Sequence, residues 1–315
     1  MVSSEIPAPS SLVDAEDSEP DVIVLTVTYN SADVIEEFLR ALGPALERAG
    51  PCQVVSVDNA SSDATADLVR TLAPWVTLLE PGVNRGYAAG INLALRGRRA
   101  RKGVYVLNPD ALPSPGSVRA LLDAVSRDPE VGLAVPRVLD SAGRLKFSLR
   151  REPTILRALG EAVLGGHRAA RFRALGDMIR DPGYYLDGAT ADWATGAALF
   201  LSAEALRRVG SWDEQFFLYS EETDYALRLR DVGLSLRFVP EAVVVHPGGA
   251  MSRSPWLWSL VTVNRTRLYR KRHGAIRSAA FWMVVFVNEA ARAALGRPTH
   301  RAAVRALLLG PMPPE

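Results

Sequence analysis

Residues 22–28 form an unbroken β-rich apolar run, the pattern of a strand covered on both faces. Ser31 follows as a candidate N-cap, and residues 34–46 carry apolar side chains at helical spacing. The same alternation continues downstream. Residues 53–57, 76–79 and 103–107 read as strands, and residues 64–72 and 87–95 as helices. Strands alternating with helices at this spacing predict an α/β fold with a mostly parallel sheet and helices on both faces. Ligands of such sheets bind at the carboxyl ends of the strands. Tyr29-Asn30, Asp58-Asn59 and Asn108-Pro109-Asp110 each occupy such an end.

Beyond Asp110 the pattern changes. A helix is expected over 117–125, and a strand reaching outward over 131–139. Residues 150–181 are basic and irregular, with an amphipathic helix near 154–164. Further strands are expected at 197–201, 235–239 and 242–245, and helices at 203–209 and 223–231.

Charge divides the chain unevenly around a net +2. Residues 1–21 hold six acids and no base, with Ser and Pro between them, so a disordered acidic tail over 1–20 is expected. Residues 251–315 hold eleven Arg and Lys against Glu289 and Glu315, a balance of +9. Such a region attracts an anionic partner. The single cysteine, Cys52, excludes an internal disulfide. No secretion signal is recognisable, and no apolar stretch reaches the ~20 residues of a membrane span. The longest, residues 279–287, holds Phe281, Trp282, Met283 and Phe286 and follows a cluster of bases. That combination suits a peripheral segment at an anionic membrane and equally a packed helix.

Four clusters carry chemistry. Asp58-Asn59 can accept from a ribose or base, or cap the next helix. Asn84 to Asn92 is a glycine-bearing loop that opens a helix, where backbone approaches ligands closely. Asp110 is a hard-oxygen ligand at a strand end, suited to magnesium or manganese, within a tripeptide that is also strong turn chemistry. Glu221-Glu222-Thr223-Asp224 crowds three carboxylates behind an aromatic run, and crowding raises carboxyl pKa values towards those of a general base. His246 leaves an apolar strand into Pro-Gly-Gly with no second histidine nearby, which argues against zinc.

In order along the chain, TVTYN, VDNASSD, NRGYAAGIN, LNPD, DWATGAALF, GSWDEQFFLYSEETDYALRL and VVHPGG resemble family 2 glycosyltransferases of the GT-A fold, over roughly residues 22–274. The pattern is most similar to the bacterial rhamnosyltransferase-type members. The resemblance implies inverting transfer of a sugar from a nucleoside-diphosphate donor to a saccharide or lipid-linked saccharide hydroxyl, with Mg2+ or Mn2+. It places the donor against Thr28, Tyr29, Asn30, Asp58, Asn59, Asn84, Arg85, Gly86, Asn108, Trp193, Gly196 and Arg253. Asp110 and His246 would serve the metal or diphosphate, and Glu222 would be the base, with Glu221 and Asp224 as alternatives. The family's usual residue at Glu222 is Asp, and many relatives carry Asp where this chain has Asn108.

The organisation expected is an acidic tail, a catalytic domain over 21–274 divided near 112, and a C-terminal helical extension over 275–315. A nucleotide-binding protein without transfer activity would have no need of the acid cluster or His246. Nucleic acid as partner is disfavoured by the absence of any zinc-finger or heptad pattern.

Overall fold

The computed structural model describes residues 5–13, 19–186, 188–248 and 254–311. Its centre is an eight-stranded sheet in the order β3-β2-β1-β4-β9-β6-β10-β5. β1 (Val22–Thr28), β2 (Cys52–Asp58), β3 (Thr77–Leu79) and β4 (Gly103–Leu107) run parallel, with Thr28 beside Asp58 and Val22 beside Gly103. β9 (Ala198–Ser202) is antiparallel to both β4 and β6 (Val131–Leu139), and β6 is parallel to β10 (Ser235–Val245). The short β5 (Leu112–Pro113) closes the far edge.

The apolar run of β1 serves two cores at once, because successive strand residues face opposite sides. Val22 and Val24 join one layer with Phe38 and Leu42 of α1 (Ile35–Ala45), α2 (Thr65–Leu72) and α4 (Ser117–Arg127). Ile23, Leu25 and Val27 join the other with α3 (Tyr87–Leu95), α7 (Ala203–Val209) and α8 (Glu221–Asp231). A second, two-stranded antiparallel sheet pairs β7 (Leu149–Arg150) with β8 (Trp193–Ala194), and helices α5 (Ile155–Leu164) and α6 (Gly166–Ala169) lie in the basic segment between them. Thr154 caps α5, its hydroxyl accepting from Arg157 N at 3.2 Å.

Three helices end the chain: α9 (Pro255–Arg272), α10 (Ala275–Ala294) and α11 (Pro298–Leu309). They pack through a third cluster in which Tyr269 stacks on Phe281 at 4.0 Å, joined by Ala158 of α5 and Val285.

Three expectations differ from the fold. The strand over 131–139 is an inner strand between β9 and β10, because its apolar residues alternate into both cores. The two short strands at 235–239 and 242–245 are one strand, with a register shift between Val239 and Val243. Within the tail expected to be disordered, residues 5–13 lie against the sheet edge. Ile6 is buried and its carbonyl accepts from Trp75 Nε1 at 2.9 Å, while Cys52 N donates to Ser11 O at 2.7 Å. That stretch holds only one of the tail's acids, Glu5, and residues 14–18 lie outside the described residues.

Candidate active site

The acid cluster opens α8. Glu221 and Glu222 stand at its first turn, where the helix dipole favours carboxylates. Both line a cavity of about 390 Å³ with Tyr87, Asn108, Trp193, Gly196, His246, Arg150 and Arg265. One carboxylate oxygen of each glutamate has no hydrogen-bond partner among the described residues. Burial pushes both carboxyls up, and for Glu221, only 4% exposed, the neighbouring Glu222 adds to the rise. Glu222 is pushed up to about 7 by burial, against backbone hydrogen bonds and Arg150, which pull it down.

Asp224 belongs elsewhere. It is fully buried and ion-paired with Arg228 and Lys271, at 2.8 and 2.7 Å, outside the cavity. On helical spacing it points away from Glu222, so its carboxylate is structural rather than an alternative base.

Asp110 follows β4, and His246 follows the neighbouring end of β10. His246 Nε2 approaches Asp110 Oδ1 at 3.2 Å. Burial alone would raise the Asp110 carboxyl, but the bond to His246, with help from Lys146, leaves it below the ordinary range. Lys146 in turn donates to the His246 carbonyl at 2.9 Å. Asn108 does not join them through its side chain, because Asn108 Oδ1 accepts from Tyr87 OH at 2.9 Å. Trp193 donates Nε1–H to Arg151 O at 3.0 Å and lies beneath the Arg150 guanidinium, 5.9 Å from the ring centroid. A Cβ at Gly196 would stand 3.6 Å from the Glu222 side chain, so this glycine backs the candidate base.

The expected donor residues at the first strand ends form a separate group. Asp58 accepts from Thr28 Oγ1, Ser61 Oγ and Ser61 N at 2.9, 2.6 and 2.9 Å, which ties it into the loop after β2; it does not cap α2, whose N-cap Ala64 has no side-chain bond. Asn30 Oδ1 accepts from Ser62 N, and Tyr29 is exposed at 45%. Asn59 and Arg85 line a smaller cavity of about 250 Å³ at the ends of β2 and β3. Asn84 Oδ1 accepts from Gly86 N at 3.0 Å. Gly86 is explained by the protein itself. Its φ is +91°, and a Cβ there would meet Phe217 O at 2.3 Å, so the close approach is made by the 217 backbone rather than by a ligand. Arg253 lies outside the described residues.

Sequence reasoning missed Arg150, Tyr219 and Arg265. Arg150 sat unremarked in a basic stretch, and Arg265 in a helix read only for its charge. Tyr219 ends the aromatic run two residues before Glu221, and that adjacency was the available signal.

The profile of the family described as "Glycosyl transferase family 2" matches residues 23–183. The N-acetylglucosaminyl-diphospho-decaprenol L-rhamnosyltransferase of Mycobacterium tuberculosis is 35% identical over 240 residues, 71% of this chain and 75% of its own length. This chain belongs to glycosyl transferase family 2. The low-salt glycan biosynthesis hexosyltransferase Agl10 of Haloferax volcanii is 25% identical over 69% of this chain and 64% of its own. The solved mannosyltransferase PcManGT of Pyrobaculum calidifontis, in complex with GDP-Man and Mn2+, superposes with a TM-score of 0.55. It is 21% identical and covers 96% of this chain and 89% of its own. The architecture of this glycosyltransferase is therefore the GT-A fold.

A divalent ion fits the donor set of the glycosyltransferase. Two ligands of one octahedral magnesium or manganese stand about 3 Å apart, the separation of Asp110 Oδ1 and His246 Nε2. No group of three His, Cys, Asp or Glu that could hold a metal occurs among the described residues. Magnesium sites commonly rest on one or two protein ligands, with water and substrate phosphate completing the shell.

Proposed function

We propose that this glycosyltransferase transfers a hexose, rhamnose first among the candidates, from a nucleoside-diphosphate donor to a hydroxyl of a lipid-linked saccharide, with inversion. The observation that carries the reading is Glu222: a carboxylate with a free oxygen, raised to about 7, lining a cavity that also holds His246 beside Asp110. The mycobacterial relative's name supports the sugar and the lipid-diphosphate acceptor. The mannosyltransferase of the same fold, solved in complex with GDP-Man and Mn2+, supports the donor class and the ion.

Glu222 accepts the acceptor hydroxyl proton as that oxygen attacks the anomeric carbon and the bond to the diphosphate oxygen breaks. A single displacement inverts the anomeric centre. Mg2+ or Mn2+ held by Asp110 and His246 would neutralise charge on the departing diphosphate. Trp193 and Arg150 present a flat face and a cation towards the sugar side of the cavity. Thr28, Tyr29, Asn30, Asp58, Asn59, Asn84 and Arg85 shape the nucleoside side. The decisive experiment is a panel of nucleoside-diphosphate sugars with an N-acetylglucosaminyl-diphosphate lipid, scored for transfer with and without chelator. Transfer from none of them, or transfer indifferent to chelator, counts against the reading.

The same reading includes peripheral association with an anionic leaflet. No helix among the described residues is long and apolar enough to cross a membrane. The outward side of α10 is nonetheless apolar. Ile276, Met283 and Val287 are 87, 54 and 56% exposed, and Ala279, Ala280, Ala291 and Ala294 are exposed with them. Arg277 is the one charge among the exposed residues of that helix. Surface helices ordinarily turn a charged face to water. The aromatic residues credited from sequence are not the exposed ones: Phe281 is buried, and Trp282 stacks on Phe286 at 5.0 Å.

A further inference from the structure

The two residues before the acid pair have an unusual backbone. Tyr219 and Ser220 take φ of +69° and +74°, both in the left-handed region and neither a glycine. Such a conformation persists only where surrounding structure imposes it, and it gathers at functional sites. Here it sets the entry into α8, and so where Glu221 and Glu222 point. Ser220 gives α8 no side-chain cap, so the helix start is fixed from outside.

The restraint comes from the C-terminal helices. Asn264 of α9 is 3% exposed, and its amide Nδ2 donates to Leu218 O at 2.9 Å and to Tyr219 O at 3.2 Å. Arg267 donates to Gln215 O, and Lys271 reaches Asp213 and Asp224, each at 2.7 Å. Positions 264, 267 and 271 share one helical face, and all three hold the chain between 213 and 224. On its other side the loop is held by Tyr87, whose N–H donates to Phe217 O at 2.7 Å, beside the space that Gly86 leaves. The loop is clamped between the α3 entrance and α9.

We infer that Asn264 is a positioning residue: by fixing the Leu218 and Tyr219 carbonyls it holds the left-handed step that aims Glu222 into the cavity. The helices beyond residue 254 are then part of the catalytic apparatus and not an appendage to it. This inference rests on Glu222 being the base.

The test compares Asn264→Asp, which keeps size but replaces the double donor by an acceptor facing two carbonyls, with Asn264→Ser, which keeps one donor. Turnover of a nucleoside-diphosphate rhamnose is measured with the lipid-linked acceptor. Rates are normalised to the fraction of protein that binds UDP, GDP or dTDP by calorimetry. Asn264→Asp is expected to lower kcat about tenfold or more with the donor KM within twofold, and Asn264→Ser to fall between it and the parent. Adding Ser220→Gly to Asn264→Asp should restore kcat at least threefold, because glycine takes positive φ without side-chain restraint. A loss that disappears on normalisation, or one that appears in KM alone, overturns the inference. So does an Asn264→Asp protein with parental kcat. Glu222→Gln separates the two readings. If it retains turnover the base assignment fails, whereas if it is inactive while Asn264→Asp is normal only the positioning role fails.

Discussion

At Glu222, burial decides the direction of the pH dependence. A base must be unprotonated to accept the acceptor's proton, and this carboxyl is raised to about 7. The kcat of the parent should therefore rise with pH through an acidic limb centred near 7, and a limb near 4.5 would show a solvated carboxyl instead. Glu222→Gln should lower kcat by about a hundredfold or more, with donor affinity retained. If Glu221→Gln costs more turnover than Glu222→Gln, the neighbouring carboxylate is the base. Stability moves the opposite way. The folded state holds this proton more tightly than the unfolded chain does, so stability falls as pH rises from about 4.5 to about 7. Thermal melts of Glu222→Gln should match the parent at pH 4 and lie a few degrees above it at pH 8. Asp110→Ala removes one of the two oxygen or nitrogen donors matched to an ion. It should weaken Mn2+ binding by about tenfold or more, as read by calorimetry with a nucleoside diphosphate present. Unchanged Mn2+ affinity would remove Asp110 from the site.

The elements explain why particular residues are needed where they are. Gly86 opens α3 because the 217 carbonyl fills the place of its side chain. Gly86→Ala would have to displace the loop that leads to Glu221. The expected result is a folded protein with turnover reduced more than donor binding, and near-parental turnover would show that the loop yields easily. For α10, the doubly charged variant Met283→Glu with Val287→Glu changes only exposed positions. It should remain folded and cease to sediment with anionic vesicles, while the parent sediments with anionic but not neutral ones. Equal pelleting of both proteins removes α10 as the membrane face.

Across the whole molecule, buried polar ties connect the C-terminal helices to one another and, through Arg265, to α5. Glu289 of α10 is 3% exposed. It accepts from His300 Nδ1 of α11 and Trp258 Nε1 of α9 at 2.6 and 2.9 Å. Arg265 of α9 pairs with Glu161 of α5 at 2.7 Å and lies 5.6 Å from the Phe281 ring centroid. Removing Glu289 leaves the buried His300 ring and the half-buried Trp258 indole without their acceptor, so Glu289→Ala should lower the unfolding free energy by about 2–4 kcal/mol in urea titration. A change under about 1 kcal/mol would mean that the helices hold together by apolar packing alone.

Much of this was legible along the chain. The apolar runs fixed the first four strands nearly to the residue, because strands of a parallel sheet buried on both faces read as near-continuous apolar stretches even where a Thr or Ser is included. The ordered motifs revealed the family, while it took the structure to bring Glu221, Glu222 and His246 to the wall of one cavity. Local pattern does not carry long-range pairing. It could not show that β9 runs antiparallel between β4 and β6, since an apolar strand reads the same in either direction. Nor could it show that Asp224 faces Lys271 forty-seven positions later, which separates one acid from its two neighbours. The role of Gly86 depends on a carbonyl 131 residues away, and the aim of Glu222 on an amide in a helix the sequence read only as basic. Side-chain chemistry and local spacing were determined by the sequence itself. Which carboxylate is free, and which way it points, was decided by contacts that exist only once distant segments have packed.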